Sequence, residues 1–159
     1  MIRRLGLACA AATVLSCAGD LPGGDIGTYR VTSKPQSNTC GVGPGQPDPW
    51  ISFVRLSKDD HSVYWSWQDG TPPAAGTLAS PSVKLAATRT DTVSACTIRR
   101  DDVMDVTLGT DAHPASFTGT ITWNFSVADG SCTRALTSGG GPYDALPCAI
   151  TYDMTAARH

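Results

Sequence analysis

From Thr28 onward the chain alternates apolar and polar residues with a period of two. Tyr29 and Val31 alternate with Thr28, Arg30 and Thr32. Period two turns one set of side chains toward a core and the other toward solvent, which is the pattern of a half-buried strand. Residues 50–56 and 61–68 repeat it, joined by Ser57-Lys58-Asp59-Asp60, with Val63, Trp65 and Trp67 on one face. Residues 82–88 set Val83, Leu85 and Ala87 against Lys84, Ala86 and Thr88. Residues 93–99 and 103–108 read as two further strands joined around Arg100-Asp101-Asp102. In residues 117–127, Ile121, Trp123, Phe125 and Val127 share one face and Thr120, Thr122, Asn124 and Ser126 the other. Asp129-Gly130 is a hairpin signal leading into residues 131–136. Residues 148–155 place Cys148, Ile150, Tyr152 and Met154 together. The pattern predicts an all-β fold: an antiparallel meander of about eight or nine strands, closed as a curled barrel or packed as a sandwich.

Composition narrows this further. The 159 residues suit one domain. There is no Glu, and Lys occurs only at positions 34, 58 and 84, whereas soluble helices draw heavily on both. Thr, Ser, Gly and Pro are abundant, as strands and turns require. A net charge of −2 is no footprint for nucleic acid, and 41% hydrophobic residues exclude a disordered tail.

The first residues follow another logic. Arg3 and Arg4 precede an apolar run over residues 5–15, too short for a helix that must span a bilayer with about 20 residues. The run meets Val14-Leu15-Ser16-Cys17, which resembles the lipobox of bacterial lipoproteins. The resemblance implies a signal peptide over residues 1–16, cleavage before Cys17, and a diacylglyceryl group on the Cys17 thiol. It also implies a membrane held through that lipid, in the outer membrane if the cell has one, because Ala18 and not Asp follows the cysteine. Residues 17–27, rich in Gly, then read as a flexible tether, and residues 28–159 as the β-domain.

Cys9 falls in the signal peptide, leaving Cys40, Cys96, Cys132 and Cys148 besides Cys17. An even number in an exported domain implies two disulfides, in one of three pairings. Proximity around a Gly-rich loop favours Cys132–Cys148, and Cys40–Cys96 then follows. No C-x-x-C pair exists and the histidines are scattered, so no metal site is expected.

Catalytic signals are sparse. There is no G-x-S-x-G turn for a nucleophilic serine, and His61, His113 and His159 read as loop or terminal residues. Asp59-Asp60 and Asp101-Asp102 read as solvated turns, since neighbours on a strand face opposite ways. Trp65, Trp67 and Trp123 belong either to the core or to a pocket for a small apolar ligand. The expected function is therefore a lipid-anchored envelope protein with a non-catalytic structural or interaction domain and an unidentified envelope protein as partner. The alternatives are a barrel that carries or senses a small apolar ligand, and an envelope hydrolase. No cofactor is implied. Cys17→Ser is expected to release the protein from the membrane fraction; retention there would refute the anchor.

Overall fold

A computed structural model describes residues 21–93 and 95–159. The expected signal peptide, Cys9 and the lipid-bearing Cys17 lie outside the described residues. Among those described, eight strands form a closed antiparallel barrel in sequence order. They are β1 (Gly24–Asn38), β2 (Trp50–Lys58), β3 (Ser62–Trp67), β4 (Ala74–Ala79), β5 (Ser82–Val93), β6 (Cys96–Leu108), β7 (Ser116–Gly130) and β8 (Cys148–Arg158). Every strand pairs with the next, and β8 returns to β1 through Tyr29↔Arg158 to Asn38↔Ile150. The expected meander is thus a barrel and not a sandwich.

The alternation read along the chain becomes inside and outside. Tyr29, Val31, Val63, Trp65, Ile121, Trp123, Ile150 and Met154 are all buried. Rings in edge or stacked contact run along the interior. Trp50 meets Trp67, Trp123 and Tyr152, Trp67 meets Trp65, Trp65 meets Phe117, and Phe117 meets Tyr29. Small inward residues make room for them: Ser33 lies opposite Trp50 in the β1–β2 register, and Ser52 opposite Val31. At the far end the Tyr29 hydroxyl donates to the Pro114 carbonyl at 2.8 Å, so the loop 109–115 closes a floor. Burial pushes the Tyr29 phenol above its usual range, with Arg158 opposing.

The opposite end, the mouth, carries the loops 39–49, 68–73 and 131–147 and the junction of β5 with β6. The first and last of these touch: the Asp144 N–H donates to the Cys40 carbonyl at 2.8 Å. The Gln46 N–H donates to the Tyr152 hydroxyl at 2.8 Å, drawing the loop 39–49 over the interior.

Several expectations change. Residues 93–99 and 103–108 are one strand, β6, with no turn at Arg100-Asp101-Asp102. β5 and β6 instead meet where Val93 pairs with Cys96. A single inward frame runs Cys96, Ile98, Arg100, Asp102, Met104, Val106 and Leu108, because the two charged members bond one another inside. Residues 131–136 form no strand. Gly130, at φ +81°, ends β7, and an added Cβ there would collide with the Ala95 carbonyl. The chain then makes short 3-10 turns at Thr133–Ala135 and Thr137–Gly139. β4 escaped notice because Ala74-Ala75-Gly76-Thr77-Leu78-Ala79 carries little apolar bulk, and it buries only Ala74. The last residues of the expected tether, from Gly24, already pair with β2, since Ile26 is buried under the barrel.

The disulfide pairing also differs: the bridges are Cys40–Cys148 and Cys96–Cys132. The β1–β8 register, in which Asn38 faces Ile150, sets Cys40 opposite Cys148 across the closing seam. Cys96 faces Gly130, two residues before Cys132. Chain distance was the wrong guide because closure joins the first strand to the last.

A non-reducing peptide map is expected to link Cys40 to Cys148 and Cys96 to Cys132. The enclosed separations are 108 and 36 residues. In the chain-entropy account, removing them costs about 4.8 and about 3.8 kcal/mol respectively. Denaturant unfolding of the two double Cys→Ser variants checks that order.

Candidate functional site

Inside the barrel, below the mouth, the apolar frame gives way to charge. β5 continues its inward frame from Leu85 and Ala87 to Arg89, and β6 carries Arg100 and Asp102. Arg89 and Arg100 face each other directly in register. Like charges so placed repel, and Asp102 answers both. Arg100 donates from Nε and Nη2 to its two carboxylate oxygens at 2.6 and 2.8 Å. Arg89 donates from Nη2 at 2.8 Å. The Asp102 side chain is 2% exposed, against 19% for Arg100 and 27% for Arg89. The group thus grades from a sealed carboxylate to an accessible guanidinium. A buried carboxylate needs such partners, because desolvation otherwise makes its charge prohibitively costly.

Aromatic rings hold this group in place. The Arg100 guanidinium lies 4.3 Å from the Trp123 ring centroid, a cation–π geometry. Trp50 stacks on Trp67 at 5.4 Å between centroids and meets Trp123 edge-on at 5.3 Å. Together these side chains wall a pocket of about 80 Å³, completed by Gln46, Asp69 and Thr71. Asp69 accepts the Thr71 N–H at 2.9 Å. Outside the same rim, Trp50 and Asp69 also border a shallow depression of about 290 Å³ with Ile51 and Phe53. Tyr143 lies in the loop 131–147 beside Phe125. Its phenol is pushed up by burial and by Asp91, against the opposing charge of Arg100.

Of the tryptophans singled out in the sequence, Trp67 and Trp123 line this pocket. Trp65 lies deeper, fully buried between Trp67 and Phe117. Trp50, Arg89, Arg100 and Asp102 were not recognised. The available signal was the unbroken inward frame of β6, which passes through Arg100 and Asp102 between apolar residues. Asp101 and Asp102 do face opposite ways. Asp101 sits on the outer surface, where the Thr88 hydroxyl and then Arg99 hold its carboxyl below the usual range.

The histidines stand apart from this pocket. Asp59 accepts the N–H groups of His61 and Ser62, then the Tyr64 hydroxyl, which lower its pKa. His113 borders an open surface depression that Asp25 also borders, near the floor. Its Nδ1 lies 3.1 Å from the Ile26 carbonyl, while Asp25 pairs with Arg55 at 2.9 Å. Among the described residues, no group of three or more His, Cys, Asp or Glu is placed to hold a metal ion.

No protein-family model matches the chain, and no solved structure matches it. Short matches exist to two proteins of Pseudomonas putida. Quinoprotein alcohol dehydrogenase PedE is 37% identical over 59 residues, covering 34% of this chain and 9% of that protein. Quinoprotein ethanol dehydrogenase is 37% identical over 59 residues, covering 34% of this chain and 10% of that protein. The chain spans only a small part of the length of either.

Asp102→Ala leaves Arg89 and Arg100 facing each other without their counter-charge. The expected loss is about 3–5 kcal/mol. Asp101→Ala, on the outer face, is expected to cost under about 1 kcal/mol. Denaturant unfolding of the two variants separates the buried role from the exposed one.

Proposed function

We propose that this protein is a lipid-anchored, non-catalytic binding domain of the bacterial envelope that works from the mouth of its barrel. One observation carries the proposal. The interior is packed with side chains from the floor upward, and its polar, accessible feature is the Arg89–Asp102–Arg100 group under Trp50. A filled barrel is a rigid scaffold, and binding sites combine apolar walls with a few convergent polar groups. The small charged pocket beside Trp67 and Trp123 favours this reading over a carrier that encloses a bulky apolar ligand.

Orientation supports it as well. β1 begins at the floor, so in this reading the membrane lies on the floor side and the mouth points away from it. Disulfide-paired cysteines accord with an oxidising compartment. Firm attachment is expected from two or more acyl chains, each buried methylene contributing about 0.8 kcal/mol.

Native mass spectrometry of the protein extracted from its own membrane tests the proposal. The expected species starts at an acylated Cys17, lacks four thiol hydrogens and carries no bulky apolar adduct. A reproducible lipid-like adduct would overturn the filled-barrel reading in favour of an apolar carrier. An unacylated chain would overturn the anchor.

A further inference from the structure

We infer that the mouth pocket is a binding site for a small carboxylate with a flat body, the acid group seated on Arg89 and the flat face on Trp50. The inference rests on the reading of the mouth as the binding end, and it names the ligand class.

Unspent donors set the sign. Asp102 balances one of two guanidinium groups and Asp69 across the pocket offsets the other, so the preference for an acid comes from the unspent N–H donors of Arg89 and not from net charge. Each guanidinium has five N–H donors. Arg100 spends two of its nitrogens on Asp102 and packs its plane against Trp123. Arg89 makes a single such bond, from Nη2, and is the more exposed of the two. Arg89 is therefore a guanidinium oriented by a buried carboxylate with most of its donors unspent, the arrangement that suits bidentate capture of an acid group. The same wall contains Trp123, whose buried Nε1–H has no hydrogen-bond partner. Asp69 across the pocket is the opposing carboxylate, with Oδ1 engaged by the Thr71 N–H.

Shape sets the rest. About 80 Å³ exceeds the space one water needs several times over and accommodates an acid group with few further atoms. A larger body must emerge past Trp50, which is only partly buried and has one indole face stacked on Trp67, leaving the other as the surface proposed for the flat body. The depression beyond it, with Ile51 and Phe53, continues an apolar path outward. Trp50 and Arg100 are already held by ring contacts and the buried ion pair, so little ordering opposes binding.

Isothermal titration calorimetry of the full mature chain with benzoate, benzamide, benzylamine and acetate tests the inference. Benzoate is expected to bind saturably. Benzamide and benzylamine are expected to bind at least tenfold more weakly, and acetate, lacking the flat body, more weakly than benzoate. Arg89→Gln should weaken benzoate at least tenfold when titrated at a temperature where the variant is folded, although loss of its bond to Asp102 lowers the unfolding midpoint. If that variant does not fold, Arg89→Lys, which keeps the charge but not the fork, should still weaken benzoate. Absence of benzoate binding by the folded protein would overturn the inference, as would benzamide matching benzoate. Preference for benzylamine would assign the pocket to cations through Asp69. None of these outcomes touches the anchored, filled-barrel reading, which the native mass decides separately.

Discussion

Pairing of β8 with β1 is the constraint on which the rest of this protein depends. Antiparallel strands left open would expose unpaired edges, and closure removes them. Closure also creates an enclosed interior that side chains must fill. The inward positions of these strands meet that demand with large rings and aliphatic groups, spaced by small residues such as Ser33 and Ser52. The same seam brings Cys40 against Cys148, so the covalent framework is itself a consequence of closure.

The two ends of the barrel are treated differently. The floor is sealed by the loop 109–115, with Tyr29 bonded to Pro114 and the His113 ring beside the Ile26 carbonyl. The mouth is framed by the loops 39–49 and 131–147, which the disulfides tie to the strands beneath them. Directly under those loops the interior changes from rings to ions. A buried ion pair is a poor source of net stability, because desolvation opposes the attraction. Hydrophobic side chains of like volume would fill that layer as well. The presence of Arg89, Arg100 and Asp102 there supports the mouth as the proposed binding end.

Much of the strand pattern was legible because burial on one face imposes alternation. β3, β7 and β8 were readable wherever Trp, Ile, Tyr or Met marked every second residue. The reading failed where that marker changed. β4 buries little, so nothing in its composition announced it. At Arg100-Asp101-Asp102 charge suggested a solvated turn, although the inward frame continued through it. Asp129-Gly130 suggested a hairpin, although β7 ends there and the chain turns toward the Cys96–Cys132 bridge. Of the site, Trp67 and Trp123 were visible as large rings on buried faces. Arg89 and Arg100 were not, since a charged residue on a strand ordinarily marks the solvent side.

The sequence by itself determined the class of fold and the faces of the more apolar strands, and it carries a segment that resembles a lipobox. All of these rest on local spacing or on neighbouring residues. Only the tertiary structure decided that the meander closes, which cysteines meet, and that two arginines converge on one buried aspartate beneath Trp50. Those facts depend on which strands become neighbours, and in a closed barrel the first strand's neighbour is the last. Spacing along the chain carries no direct record of that pairing, because the energy that selects it comes from filling the shared interior.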